Sequence, residues 1–465
     1  MVVWKRILKG IAWSLGGALA LTILGVLGLL AINWSDRPPS AAAERLAAAF
    51  RDRPPLSDSD NAYVYAMGLV VAPDGDPRAA GIRRIEWSRS LPGDLNDSAS
   101  PDPVAVYDEY RSSRSAEVQR IVKACRRLTP ECAGALENGE GTLRAWLASE
   151  QWLVERYRTL LRHPGWREDV PLDIRAPFAA YSPMLEGQRL QLAQAYLLAS
   201  ENDVAGVRQL LADDARFWRG VLISADLLIT KMMATAALTH TFAMGNLILR
   251  RLPAESQLSA MPAEWIEPFS VAELSLFRCL TGEWIFNQEL VKQPMAPNSF
   301  SDSAWERLSI GTVQYATSVL FQPQDLANRY AEVLIKATEA LDVPIEQLPA
   351  GLERARAMFQ EPSAERSWLA SPYNPVGTTL LGIMTAGYGS YPVRITDLEG
   401  VRRAAVLTAQ LRAQKINEHA MAAELAESDI RTPYSGAPFI WNAKERAVQF
   451  IGLVPGERGQ HTFRY

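Results

Sequence analysis

Histidine is scarce in this chain of 465 residues, and its scarcity limits the chemistry open to the protein. The four histidines are His163, His240, His419 and His461, and no two of them have HExxH or another paired spacing. Zinc hydrolases of the HExxH class hold the metal with such a pair on one face of a helix. The sequence therefore argues against that class, and His240, in the largely apolar stretch AALTHTFAMGN, is interpreted as a core histidine.

Motifs for phosphate binding and for nucleophilic catalysis are absent as well. Neither GxxxxGK[ST] nor GxGxxG occurs, and no serine has Ser-x-x-Lys spacing. Ser390, in AGYGSYP, lacks the Gly-x-Ser-x-Gly context of a nucleophile elbow and is interpreted as a turn residue. The stretch APDGDPRAAG has too few carboxylates for an EF-hand and predicts a turn before a helix capped by Asp76. We therefore predict no cofactor and no metal site, and assign no catalytic residue.

The chain also lacks an excess of basic residues. Its formal net charge is −4, and the charge is −7 when Lys5, Arg6 and Lys9 are set apart. Because binding to phosphates requires a basic surface, we predict no nucleic-acid partner. With 48% apolar and 22% charged residues, the composition is that of a globular protein with a sizeable core.

One long run, from Gly10 to Ile32, contains no charged residue. As a helix this run is about 34 Å long, against roughly 30 Å for the hydrocarbon core of a bilayer. It predicts a transmembrane anchor that contacts the lipid bilayer through residues 10–32. The alternatives are a cleaved signal peptide, whose apolar core is usually only about 7–15 residues long, and a buried helix.

The charges that flank this run predict its orientation. Lys5, Arg6 and Lys9 precede it without an acidic residue, whereas Asp36 and Arg37 follow it. The positive-inside rule then places the N-terminus in the cytoplasm and the rest of the chain outside. We predict a single-pass protein of the bacterial inner membrane with a periplasmic body.

Three cysteines are present, and two of them lie close together in KACRRLTPEC. In an oxidising compartment such as the periplasm, Cys125 and Cys132 can pair. Pro130 disfavours helical geometry at Thr129, so the chain turns back and brings the two cysteines within reach of a disulfide. Free buried thiols and a metal site are the alternatives, although zinc sites need closer spacing and more ligands. We predict a disulfide between Cys125 and Cys132 and interpret Cys279 as a core thiol.

The pattern along the chain divides it into four segments. We predict a cytoplasmic stub and anchor at 1–36, a Pro-rich spacer at 37–60 with a short helix capped by Ser40, a helical periplasmic body at 61–430 and a β-hairpin tail at 431–465. The fold class is thus mostly α.

Apolar spacings of three and four residues predict helices throughout the body. Beyond residue 270 these are expected at about 271–291, 303–319, 324–341, 345–359 and 396–426. The two helices around the Glu201-Asn202-Asp203 turn resemble tetratricopeptide packing, but a period of about 34 residues is not evident. We expect a helical bundle or a tetratricopeptide-like body.

The tail carries a family resemblance. The stretch TPYSGAPFIW resembles the Asp-Pro-aromatic-Ser/Thr-Gly-x-Pro-x-x-aromatic ending of membrane-anchored bacterial envelope proteins of unknown activity, and more remotely the closing hairpin of type II secretion pseudopilins. Thr432 stands where that pattern has Asp, and GLVPGERGQHTFRY lacks the acidic loop that binds calcium in pseudopilins. The resemblance therefore implies an envelope protein without a calcium site.

Two hypotheses about function follow. The first is a non-enzymatic scaffold or protein-interaction module of the envelope, associated with secretion or immunity, whose partner is an unknown envelope protein. The second is an envelope hydrolase that cleaves cell-wall glycan with carboxylates from separate helices. Glu283, in LTGEWIFNQEL, is the first carboxylate to test for that role, and otherwise it is expected to be an exposed acid on a helix surface.

Overall fold

The protein is mostly helical and ends in a small antiparallel sheet. The computed structural model describes residues 2–91, 100–104, 114–125, 130–169, 175–292, 318–364 and 372–465. The helices of the N-terminal half are α1 (Val2–Ile32), α2 (Ala41–Arg51), α3 (Ala62–Met67), α4 (Pro77–Arg89), α5 (Ala116–Cys125), α6 (Pro130–Glu137), α7 (Glu140–Ser149), α8 (Gln151–Leu161), α9 (Tyr181–Ser200) and α10 (Val204–Ser224).

The C-terminal half continues in the same way. Its elements are α11 (Leu228–Arg251), α12 (Ala254–Ala260), α13 (Ala263–Ile266), α14 (Val271–Leu274), α15 (Phe277–Lys292), α16 (Pro323–Leu341), α17 (Leu348–Ala364), α18 (Pro375–Thr385), α19 (Pro392–Ala413), α20 (Met421–Glu427), β1 (Ile440–Asn442), β2 (Ala447–Ile451) and β3 (Gln460–Arg464).

Local capping signals in the sequence are confirmed. The Ser40 hydroxyl accepts a hydrogen bond from the Ala43 N–H at 3.3 Å and starts α2, and the Asp76 carboxylate accepts one from the Arg78 N–H at 2.9 Å and starts α4. Both caps satisfy backbone donors that the first helical turn leaves free.

Three of the expected helices differ from the structure or lie outside it. The helix predicted at 271–291 is two helices separated at Ser275, and the one predicted at 396–426 ends at Ala413. Lys415, with φ of +55°, adopts the left-handed conformation that stops a helix. Most of the helix predicted at 303–319 lies outside the described residues.

In the described part of the chain, two large hydrophobic cores and a small cluster of Val71, Ala80 and Val104 hold the body together. The larger one lies among the long helices α9, α10, α11 and α19 and includes Trp218, Phe242 and Trp265. The smaller one joins α2, α15, α16, α17 and α18 around Trp284 and Tyr330. Neither a tetratricopeptide array nor a regular bundle is established by this packing.

The apolar helix α1 is the candidate membrane span. The stretch Lys9–Ile32 has a mean hydropathy of 2.4, and none of its most apolar window is buried in the body. Helix α11 also passes the test of length and apolarity, but 67% of its window is buried, as in the core helix of a globular protein.

The segment that follows α1 packs closely against the body, although 37–60 was interpreted above as a spacer. The Asn33 side chain accepts from the Asn374 N–H at 2.7 Å, and the Asp36 carboxylate accepts from the Gln324 and Asp325 N–H groups at 2.6 and 3.0 Å. Leu46 of α2 is buried in the smaller core. The end of α1 is therefore held by hydrogen bonds to the starts of α16 and α18.

The tail forms the predicted hairpin and one further strand. Strands β1 and β2 pair antiparallel with Trp441 opposite Val448, and β3 pairs antiparallel with β2 with Phe463 opposite Val448. Phe450 and Phe463 bury this sheet against the larger core. The sequence does not predict the third strand because QHTFR is short and contains one apolar residue, Phe463.

Candidate functional site

Three carboxylates converge on the start of α11, and we call them the helix-start cluster: Glu168, Asp226 and Glu283. The Glu168 carboxylate accepts from the Asp226 and Leu227 N–H groups at 2.7 and 2.8 Å. The Glu283 carboxylate accepts from the Leu228 N–H at 2.9 Å. Side chains distant in sequence thus cap α11, whose own N-cap residue, Leu227, has no capping side chain.

Arginines neutralise the central acid of this cluster. Asp226, whose side chain is 1% exposed, forms salt bridges with Arg53 at 2.6 Å and with Arg278 at 2.9 Å. Gly282 makes this arrangement possible, because a Cβ there would lie 1.7 Å from the Asp226 carbonyl oxygen. Helix α15 therefore lies close to Asp226. Glu283, which follows Gly282 on α15, then reaches the start of α11 and caps it.

Burial changes the acidity of the cluster. Removal from water, together with the nearby charge of Asp226, raises the pKa of Glu168 to about 8. Burial also raises the pKa of Glu283. A raised pKa is typical of catalytic acids, but also of structural carboxylates. Because Glu168 also accepts hydrogen bonds from Tyr181 and Thr230, the cluster is saturated with protein partners and serves to hold segments together.

A groove of about 780 Å³ lies beside the cluster, and we call it the arginine groove. One wall is the end of α8 with the residues that follow it, and another is a face of α10. Asp213 is the acid among the described lining residues. The lining also includes five arginines: Arg158, Arg162, Arg167, Arg216 and Arg278.

Local structure fixes the wall that follows α8. The Asn61 side chain donates to the Arg167 carbonyl oxygen at 2.8 Å and accepts from the Arg167 N–H at 3.0 Å. The Ala62 N–H donates to the Gly165 carbonyl oxygen at 2.9 Å. Trp166, 3% exposed, packs edge-to-face against Tyr63 and Phe217 at 5.6 and 6.4 Å between ring centroids. The wall is thus held in place before any ligand binds.

Several buried polar atoms along the groove lack hydrogen-bond partners within the described parts of the chain. They are the Trp166 Nε1, the Arg158 Nε and the Gln191 Oε1. Buried polar groups in native proteins are nearly always paired, so each such group needs an explanation. These three atoms are almost wholly screened from solvent, and Trp146 and Trp265 in other parts of the protein also carry such an atom, so they reflect close packing of the groove wall and not a contact for a ligand.

The charges of the groove are only partly compensated. Arg278 pairs with Asp226, and Arg216 pairs with Asp213 at 3.1 Å and with Glu264 at 2.6 Å. For Arg158, Arg162 and Arg167, the described residues provide no carboxylate within salt-bridge distance. The groove therefore presents uncompensated positive charge next to the apolar side chains Leu161, Trp166, Phe217 and Ile223.

A second cavity, of about 390 Å³, brings two of the four histidines together. His240 and His461 line it with Arg189, Arg394 and Asp397. Burial lowers the pKa of each histidine to about 4. His240 is thus half-buried at the edge of a cavity. Among the described residues no group of three or more His, Cys, Asp or Glu side chains could hold a metal ion.

The remaining candidates from the sequence take structural positions. The Cys125 and Cys132 sulfurs are 2.03 Å apart, which is disulfide distance, and Cys279 is a buried free thiol. The turn at 126–129 between the two cysteines lies outside the described residues. Ser390 ends a short 3-10 turn.

Two expectations about carboxylates need correction or extension. The expectation that Glu283 is an exposed surface acid is wrong, because Gly282 brings this residue against the α11 start, where Glu283 is half-buried. Sequence reasoning missed Glu168, Asp226 and the groove, whose residues come from separate segments. The stretch RHPGWR, with two arginines around a tryptophan, was the local signal that could have indicated the groove.

Comparisons with protein-family models, with curated proteins and with solved structures find no match to this chain.

Proposed function

We propose that the protein is a non-enzymatic binding protein, anchored in the bacterial inner membrane by α1, whose periplasmic body holds an envelope protein partner in the arginine groove. The envelope setting rests on the charges around α1 and on the resemblance of the tail. The observation that carries the proposal is the positive charge of this groove, where Arg158, Arg162 and Arg167 have no carboxylate within salt-bridge distance among the described residues.

The packing of the anchor supports a binding role at a fixed distance from the bilayer. Asn33, Asp36 and Arg37 connect the end of α1 to the body, with Arg37 bonded to Asp325 at 3.1 Å. A scaffold held in this way presents its groove at a defined height and orientation. Trp34, 88% exposed directly after α1, suits the membrane–water interface.

The experiment is site-specific photocrosslinking in intact membranes. A photoreactive residue is placed at Ile223, which lines the groove and is 47% exposed, or at Ile451, which is 59% exposed on the sheet. We expect a discrete protein adduct from position 223 and none from position 451. Equal labelling at both positions, or no labelling at 223, would contradict the proposal.

Hydrolysis by two carboxylates is the second candidate, and one observation favours it. Glu168 and Asp226 come from separate segments, and Glu168 has a pKa raised to about 8, as a general acid requires. Against it, both side chains are buried and engaged by protein donors. Cleavage of purified cell-wall material by the full-length protein, lost in Glu168→Gln, would replace the binding proposal with this one.

A further inference from the structure

We infer that the arginine groove binds an extended acidic segment of a polypeptide, with glutamate or aspartate side chains on either side of an apolar one. This inference rests on the proposed function and names the chemistry of the partner. Two properties of the groove support it, its charge and its open floor.

The chemical class of the occupant follows from the proposed function. Because the proposed partner is a protein, the acidic groups that meet the arginines are glutamate and aspartate side chains. An extended segment also brings backbone N–H and C=O groups at short intervals. These groups can bond to the polar part of the lining, which includes His163 and Ser224.

The charge of the groove selects acidic side chains. Arg158, Arg162 and Arg167 have no carboxylate partner among the described residues, and Arg162 is exposed. A planar guanidinium binds a carboxylate through two parallel hydrogen bonds, which fixes both position and direction. The rest of the protein is acidic overall, so this groove is a local exception to its net charge of −4.

The floor of the groove accepts an apolar side chain. Leu161, Phe217 and Ile223 line it, and Ile223 is 47% exposed. Gly220 lies on the same face of α10, and a Cβ placed there would meet no atom within 4 Å. Since glycine within a helix costs stability relative to alanine, its presence at an open position keeps the floor unobstructed.

The test measures peptide binding to the full-length protein in nanodiscs of zwitterionic lipid. The probe is a fluorescent peptide of alternating glutamate and leucine, with matched peptides in which glutamine or lysine replaces glutamate. We expect the glutamate peptide to bind at least about tenfold more tightly than the glutamine peptide, because two charge-assisted contacts are lost. The lysine peptide should not bind.

Variants locate the binding. Arg162→Glu should weaken the glutamate peptide about tenfold or more, whereas Arg354→Glu, an exposed arginine on α17 outside the groove, should leave its affinity unchanged. Gly220→Leu should block the floor, while Gly141→Leu, at an equally open glycine on α7, should not. Circular dichroism of each variant verifies that it is folded.

The outcomes separate this inference from the proposed function. Equal binding of the glutamate and glutamine peptides, or binding of an acidic polysaccharide in place of the peptide, would overturn the inference that the groove binds an acidic polypeptide segment. If position 223 still crosslinks to a protein in membranes, the binding role stands and only the chemistry of the partner is wrong. Absence of both the adduct and peptide binding would overturn both proposals.

Discussion

The helix-start cluster and the arginine groove are neighbours, yet the charges of the cluster are paired and most of the arginines of the groove are not. Asp226 in the cluster is surrounded by two arginines and a backbone N–H. Along the groove, Arg158, Arg162 and Arg167 have no carboxylate within salt-bridge distance among the described residues. Arg278 belongs to both regions, since it bonds to Asp226 and also lines the groove.

The paired residues of the helix-start cluster stabilise the fold, whereas the unpaired arginines of the groove are available to a ligand. A buried group that is fully hydrogen-bonded stabilises the native state. When it is removed, its former partners remain buried without hydrogen bonds, which is energetically costly. An arginine that lines a groove without a carboxylate partner can instead pair with an acidic ligand. Substitutions in the cluster should therefore change the free energy of unfolding, and substitutions in the groove should change binding.

The largest effect is expected from Asp226→Ala. It leaves Arg53 and Arg278, with side chains 10% and 31% exposed, without their acid. Loss of one partner from a buried pair costs about 3–5 kcal/mol, which urea denaturation of the full-length protein can measure. In the matched control Glu353→Ala, an acid 73% exposed beside Arg356, the expected loss is below about 1 kcal/mol. Equal losses in the two variants would show that Asp226 is not part of a supporting cluster.

Gly282→Ala should cost less but still act through the cluster. The added Cβ would lie 1.7 Å from the Asp226 carbonyl oxygen, so α15 must move away from the α11 start. Overpacking of this kind costs about 1–3 kcal/mol. Hydrogen exchange should become faster at the Leu228 amide, because Glu283 moves with α15. Unchanged protection of that amide would contradict the role of Glu283 as its cap.

The pH dependence of stability should reveal Glu168. Its pKa is about 8 in the folded protein and 4.5 without burial, so between these values the native state binds a proton more tightly than the unfolded state. The free energy of unfolding should therefore fall as pH rises from about 4.5 to about 8, and level off beyond that window. Glu168→Gln should reduce this slope. If both proteins have the same slope, another group carries the pH dependence.

Sequence patterns predict those parts of the fold whose partners are near in the chain. The Ser40 and Asp76 caps and the hairpin from β1 to β2 each depend on a few adjacent residues. The helix-start cluster depends on Glu168 reaching Asp226 across 58 residues, and no local signal encodes that contact. Glu283 was singled out for its glycine and tryptophan neighbours, yet what that glycine provides is close packing.

The smallest effect is expected at the floor of the groove, where Gly220→Ala should stabilise the protein. Gly220 lies within α10 and faces open space, so an added methyl group meets no atom within 4 Å and no packing is lost. Alanine within a helix is favoured over glycine by about 0.5–1 kcal/mol, and urea denaturation should show a gain of that size. If Gly220→Ala instead destabilises the protein by as much as Gly282→Ala, the floor is a packed interior, and the contrast between cluster and groove fails.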